Sequence, residues 1–167
     1  VTFFSLSPDL SNVSNNIIVS GQNPEDQIAC IVNNLSKKEI NKVLLINHKD
    51  KYGEIINNSL QNSISQISYA NTIKLSTLTV FPDQDLNKEI KSISNFESRK
   101  LLLKEQRIRI SKDSTLTKKE KTLKLKKLER QLTFGVPFDA VIIASEGDKL
   151  LEILSHLAFY DINANNT

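Results

Sequence analysis

The residues best suited to chemistry sit in one short loop. Asn47-His48-Lys49-Asp50-Lys51-Tyr52-Gly53 follows the apolar run "KVLLI" and precedes the amphipathic stretch "EIINNSLQNSI". Tyr52 offers a hydroxyl donor or a ring face at the start of a helix. The N–H groups and positive dipole end of such a helix favour a carboxylate or similar anion. A second loop, Ser145-Glu146-Gly147, follows the apolar run "FDAVIIAS", and Glu146 can accept from an ammonium group. The chemistry this implies is non-covalent capture of a small charged ligand. The competing reading makes both loops solvated connections, with Gly53 present for turn geometry.

Covalent chemistry finds no support. His48 lies in the ligand-facing loop without an evident nucleophile or metal partner, and His156 lies far away in the last helix. Asp50 follows a strand, but the acid cluster of a phospho-acceptor site is missing. Cys30 is the single cysteine, so it has no disulfide or CxxC partner, and its place in "DQIACIVNNL" is expected to be the buried face of a helix. None of GxGxxG, GxxxxGK[ST], GxSxG or HExxH occurs. The chain is expected to be no enzyme, to use no cofactor and to bind no metal.

The elements that would position these loops alternate. "VTFFSLSP" reads as a short strand, "SNVSNN" as loop and "IIVSG" as a second extended run. In "QNPEDQIACIVNNLSKKEI", Asn23 can cap, Pro24 fits the first helical position, and Ile28, Ile31, Val32 and Leu35 recur at helical spacing. "KVLLIN" (42–47) is a continuous apolar run, as in a strand covered on both faces. A helix over 52–66 turns Ile55, Ile56, Leu60 and Ile64 inward. A strand over 71–82 ends at Pro82. One long helix beginning near Asp85 carries Leu86, Ile90, Ile93 and Phe96. A strand over 138–145 and a helix over 147–162 complete the order. Such alternation predicts an α/β fold: a three-layer α/β/α, doubly wound parallel sheet. Ligands gather beyond the carboxyl ends of such strands.

Residues 97–135 interrupt the alternation as an inserted basic helical hairpin. Residues 99–130 hold 13 Lys/Arg against four acids, a local charge of +9, which leaves −6 on the rest of a chain whose net charge is +3. Leu101, Leu102, Ile108, Leu116, Leu123, Leu125 and Leu128 recur at roughly helical spacing, and Ser114 can cap the second helix. The hairpin's cations could bind phosphate, of nucleic acid or anionic lipid, but it lacks the interleaved aromatics that stack on bases, and no nucleic acid is expected as partner. It reads either as a solvated face or as a protein contact through Lys118, Lys119, Lys124, Lys127 and Arg130.

With 167 residues, 39% apolar and 25% charged, the chain suits one globular domain. No apolar run approaches the roughly 18 residues that span a bilayer. It opens on Val inside "VTFF" and is expected to be a piece of a longer protein.

The segments, taken in order, resemble a family. "HKDKYGEIINNSLQ" is similar to the stretch that opens the second lobe's second helix in type I periplasmic binding proteins of the Leu/Ile/Val-binding kind. "VSGQNPEDQIACIVNNL" resembles that lobe's entry. The charged insertion followed by "PFDAVIIASEGDKLLEILSHLAFYDIN" resembles most the alphaproteobacterial penicillin-binding-protein activator branch, whose last helix ends in a "YYD" signature. The likeness runs from "TFFSLSP", at the lobe crossover, to "FYDIN". It implies one lobe (1–167) of a two-lobed protein. By analogy Tyr52 lies beside the ligand, Ser145 and Glu146 meet its amino group, and Ser5 and Ser7 face the cleft. It implies an envelope protein, periplasmic or anchored to the outer membrane as a lipoprotein. Such a protein would act on a peptidoglycan synthase by contact, or capture an amino acid for ABC-type uptake. A third reading, the effector lobe of a transcription regulator, shares the fold.

Overall fold

The structure is a computed structural model that describes residues 3–5, 17–19, 23–66, 73–129 and 131–163. It is mixed α/β, with a three-stranded parallel sheet and six helices among the described residues. "SNVSNN", Ser7 and Arg130 lie outside them. The chain divides into two compact units, Val1–Pro82 with Ala140–Ser145, and Asp83–Asp139 with Glu146–Thr167.

In the first unit, β1 (Phe3–Ser5) and β2 (Ile17–Val19) pair in parallel as a sheet of their own. α1 (Pro24–Lys37) begins as its sequence requires: the Glu25 N–H donates to Asn23 Oδ1 at 3.0 Å, and Pro24 needs no partner for the N–H it lacks. β3 (Lys42–His48) lies between β4 (Lys74–Val80) and β5 (Ala140–Ala144), parallel to both. "KVLLI" and "AVIIA" are therefore neighbours in one sheet and point the same way. Val43, Leu44, Leu45 and Ile46 are at most 1% exposed, which explains the uninterrupted apolar run. Ile28 and Val32 of α1 meet Leu45 and Ala144 together with Ile56 and Leu60 of α2 (Lys51–Ser65). Leu35, Val43 and Ile73 form a second cluster. Two expectations on these helices fail. Ile31 and Ile55 are exposed, at the edges of their apolar stripes. Cys30 is exposed too, and Asn34 Nδ2 donates to its carbonyl at 3.0 Å. The stripe is narrower than residue type alone implied, because Ile28, Val32 and Leu35 suffice to seat α1.

The second unit replaces the expected long helix by two, α3 (Leu86–Ile93) and α4 (Phe96–Lys112). Asn95 sits between them at φ +53, a left-handed conformation that Asn tolerates better than most residues. The Ser94 hydroxyl donates to the Lys91 carbonyl at 3.1 Å, and Lys91 reaches Glu97 across the break at 2.6 Å. α5 (Lys118–Glu129) completes the hairpin. Its cap is Thr117 rather than Ser114: the Thr117 N–H and hydroxyl both donate to Glu120, at 2.8 and 2.7 Å, and the Glu120 N–H returns a bond to the Thr117 hydroxyl at 3.3 Å. This reciprocal exchange satisfies donors that a lone Ser114 would leave open. No residue of α5 is buried. Polar ties hold the hairpin instead: Arg107 Nη2 donates to the Leu128 carbonyl at 2.7 Å, and Lys121 Nζ to the Ser111 carbonyl at 3.2 Å.

Arg99 departs most from its reading as part of a solvated basic face. It is 4% exposed. Its Nε donates to the carbonyls of Phe134 and Gly135, at 3.0 and 2.6 Å. Nη1 reaches the Tyr160 carbonyl at 3.2 Å, and Nη2 reaches Thr133 Oγ1 and the Asp161 carbonyl, at 2.6 and 3.2 Å. The Asp161 carboxylate accepts in turn from the Thr133 N–H and hydroxyl. Burial pulls the guanidinium below its ordinary value, and the nearby Asp161 carboxylate opposes that shift. One side chain thus ties α4, residues 133–135 and the end of α6 (Gly147–Phe159). Tyr160 adds an edge-to-face contact with Phe96, centroids 4.9 Å apart, and its hydroxyl donates to Asn87. Arg99→Leu leaves four carbonyls without their donor, and a loss of about 3 kcal/mol is expected in urea unfolding. A loss below about 1 kcal/mol would show that water replaces the guanidinium and that the clamp is incidental.

Candidate functional site

The site is the rim where the first unit's parallel strands end. Register brings its parts together. Asn47 stands opposite Thr79 on one side and Ala144 on the other, so His48 and Ser145 continue from adjacent strands. His48 Nε2 and Ser145 Oγ are 2.9 Å apart, and both residues are half-buried. The hydroxyl donates when Nε2 is bare and accepts when Nε2 carries the proton. Sequence reasoning placed both loops at the ligand-facing end but gave His48 no partner. The signal was present in the position of each residue, directly after an apolar strand, but 97 residues separate them in the chain.

The rest of the Asn47–Gly53 loop holds strand and helix together. Asn47 is 3% exposed; its Nδ2 donates to the Gly53 carbonyl and its Oδ1 accepts from the Thr79 hydroxyl, both at 3.0 Å. Asp50 Oδ1 accepts from the Gly53 N–H at 2.7 Å and so caps α2. The first turn of α2 therefore carries a resident carboxylate, which takes one of the donors expected to serve a ligand and offsets the positive end of the dipole. Lys49 makes an exposed ion pair with Glu54 at 3.5 Å, of small energetic weight. Gly53 is required by a close approach: a Cβ there would lie 2.1 Å from the His48 carbonyl oxygen.

The other site residues are placed as follows. Tyr52, on the first turn of α2, is 49% exposed and presents its ring to solvent. Ser5 ends β1. Glu146 belongs to the second unit, is exposed, and precedes α6 without a side-chain cap bond. Gly147 follows it at φ +57, where glycine is favoured. Lys118, Lys119, Lys124 and Lys127 are exposed on α5.

This arrangement offers a hydroxyl and an imidazole, hydrogen-bonded to each other, at the strand rim. A Ser–His pair is part of the machinery that activates a nucleophile, which also needs a group to orient the base. Among the described residues no cluster of three His, Cys, Asp or Glu could hold a metal ion. Among them too, no helix is long and apolar enough to cross a membrane. Comparison with protein-family models, with curated proteins and with solved structures finds no match to this chain.

Gly53→Ala forces α2 away from the end of β3. A loss of about 1–3 kcal/mol in urea unfolding is expected, as for other overpacked sites. An unchanged midpoint would mean that the approach of α2 to the His48 carbonyl is looser than the geometry indicates.

Proposed function

We propose that this chain is a non-enzymatic binding or regulatory module of the cell envelope, similar to penicillin-binding-protein activators, that works by contact with a partner such as a peptidoglycan synthase. The observation that carries this reading is α5. It buries no residue, yet the hairpin keeps it folded against α4 through polar ties. Helices in proteins draw most of their stability from packing an apolar face, and α5 has only half-buried Leu125 and Leu128 for that purpose. Its exposed Lys118, Lys119, Lys124 and Lys127, beside Leu123 at 61% exposure, form a surface suited to a complementary partner. The ordered resemblance of the chain's segments to the activator branch supports the same compartment, periplasmic or at the outer membrane. A single lobe of a type I binding protein is the architecture this reading carries.

A second reading, the lobe of an amino-acid uptake receptor, draws on the His48–Ser145 pair and the exposed ring of Tyr52 at one strand rim.

Deleting residues 99–130 would remove Arg99 and confound the result, so charge reversal is the cleaner test. The quadruple change of Lys118, Lys119, Lys124 and Lys127 to Glu touches no buried group. Recovery of a peptidoglycan synthase from envelope extract by the full-length protein is expected to drop about tenfold. Unchanged recovery would remove α5 from the mechanism and leave the receptor reading standing.

A further inference from the structure

A groove on α4 lies apart from the lysines of α5. It has a volume of about 370 Å³ and is lined by Glu97, Lys100, Leu101, Leu103, Lys104, Arg107 and Leu132. The apolar part is partly open: Leu103 is 3% exposed, whereas Leu101 and Leu132 are 60% and 64% exposed. Lys100, Lys104 and Arg107 follow at intervals of four and three, which places them along one stripe of the helix. Glu97 is the one acid in the lining, and Lys91 offsets its charge at 2.6 Å. The net character is three cations around leucine.

Arg107 is held in place. Its Nη2 donates to the carbonyls of Leu128 and Gln131, at 2.7 and 3.3 Å. Its Nε–H is buried with no acceptor. Such an unpaired donor is costly, and Arg107 as a whole lines the groove with its charge half-buried there.

We propose that this groove seats an acidic amphipathic helix of the partner protein, with Leu-type side chains between Leu101 and Leu132 and carboxylates on Lys100, Lys104 and Arg107. The inference rests on the protein-contact reading and names the surface and the partner's chemistry. Charge complementarity selects the occupant. An anionic bilayer would need the apolar residues gathered on one flat face, whereas Leu101, Leu102 and Leu103 are consecutive and fan around α4. Stacking on the bases of a single-stranded nucleic acid would need aromatic platforms, and residues 99–130 contain none.

The test uses the full chain and a fluorescent synthetic peptide of about five helical turns, with Glu and Leu at i, i+3 and i+4 spacing. The comparison probes are the same pattern with Lys for Glu, a single-stranded oligonucleotide, and phosphatidylserine vesicles. The Glu/Leu peptide is expected to bind best of the four. Changing Lys100 and Lys104 to Glu together, or Leu132→Glu alone, is expected to weaken it about tenfold, and the quadruple α5 variant less than about threefold. Stronger binding to vesicles or oligonucleotide, no binding of the Glu/Leu peptide, or equal loss from the α4 and α5 variants overturns the groove. Synthase recovery separates the two ideas. Loss with the α5 variant but not the α4 variants overturns the groove and keeps protein contact, whereas no loss from either removes protein contact itself.

Discussion

Parallel pairing of β3 on both of its edges is the constraint from which the candidate site follows. β3 is paired on both edges and buried from Val43 to Asn47, so its side chains are either apolar, as from Val43 to Ile46, or hydrogen-bonded, as in Asn47. Leu44, Leu45 and Ile46 are each 0% exposed. Parallel direction then places the loops after β3 and β5 at the same end. His48 and Ser145 meet there because Asn47 and Ala144 are register partners. The approach of α2 to this end is set by Gly53 and sealed by Asn47 and Asp50. Most of the loop's polar atoms hold the scaffold, while its His48 and Tyr52, with Ser145 from the end of β5, remain at the rim.

The second unit combines buried apolar residues on α3 and α6, among them Ile90 and Ile153 at 0% exposure, with one buried charge. Arg99 donates to four backbone carbonyls and one hydroxyl, a use that suits a guanidinium fork with several fixed N–H directions. It fixes the base of the hairpin to the end of α6. Outward from that clamp the support thins. Leu103 is buried, while α5 contributes only half-buried Leu125 and Leu128 and no fully buried residue. The basic helix pair is thus anchored to the unit mainly at its base.

Much of this was legible in the residues, for identifiable reasons. The β3 run, the Asn23-Pro24 helix start and the alternation of apolar segments report local rules, and the structure follows them. The long helix read through Ile93 and Phe96 failed because a single left-handed Asn95 breaks it without Gly or Pro to announce the break. Cys30 and Ile55 were placed inward because helical spacing gives a face but not its width. Arg99 looked like one more cation in a basic run, since nothing local distinguishes a buried arginine from its exposed neighbours. Its partners lie 34 to 62 residues away. The His48–Ser145 pair escaped for the same reason: it depends on strand order, which periodicity does not give.

The most direct measurement is amide hydrogen exchange on the full chain without partner. Amides of Val43–Asn47 should be the slowest, and those of α5 at least about 100-fold faster, since a helix with no buried side chain opens at little cost. Comparable protection in α5 and β3 would contradict the view of α5 as a lightly anchored contact surface, and would assign it to the fold's stability instead.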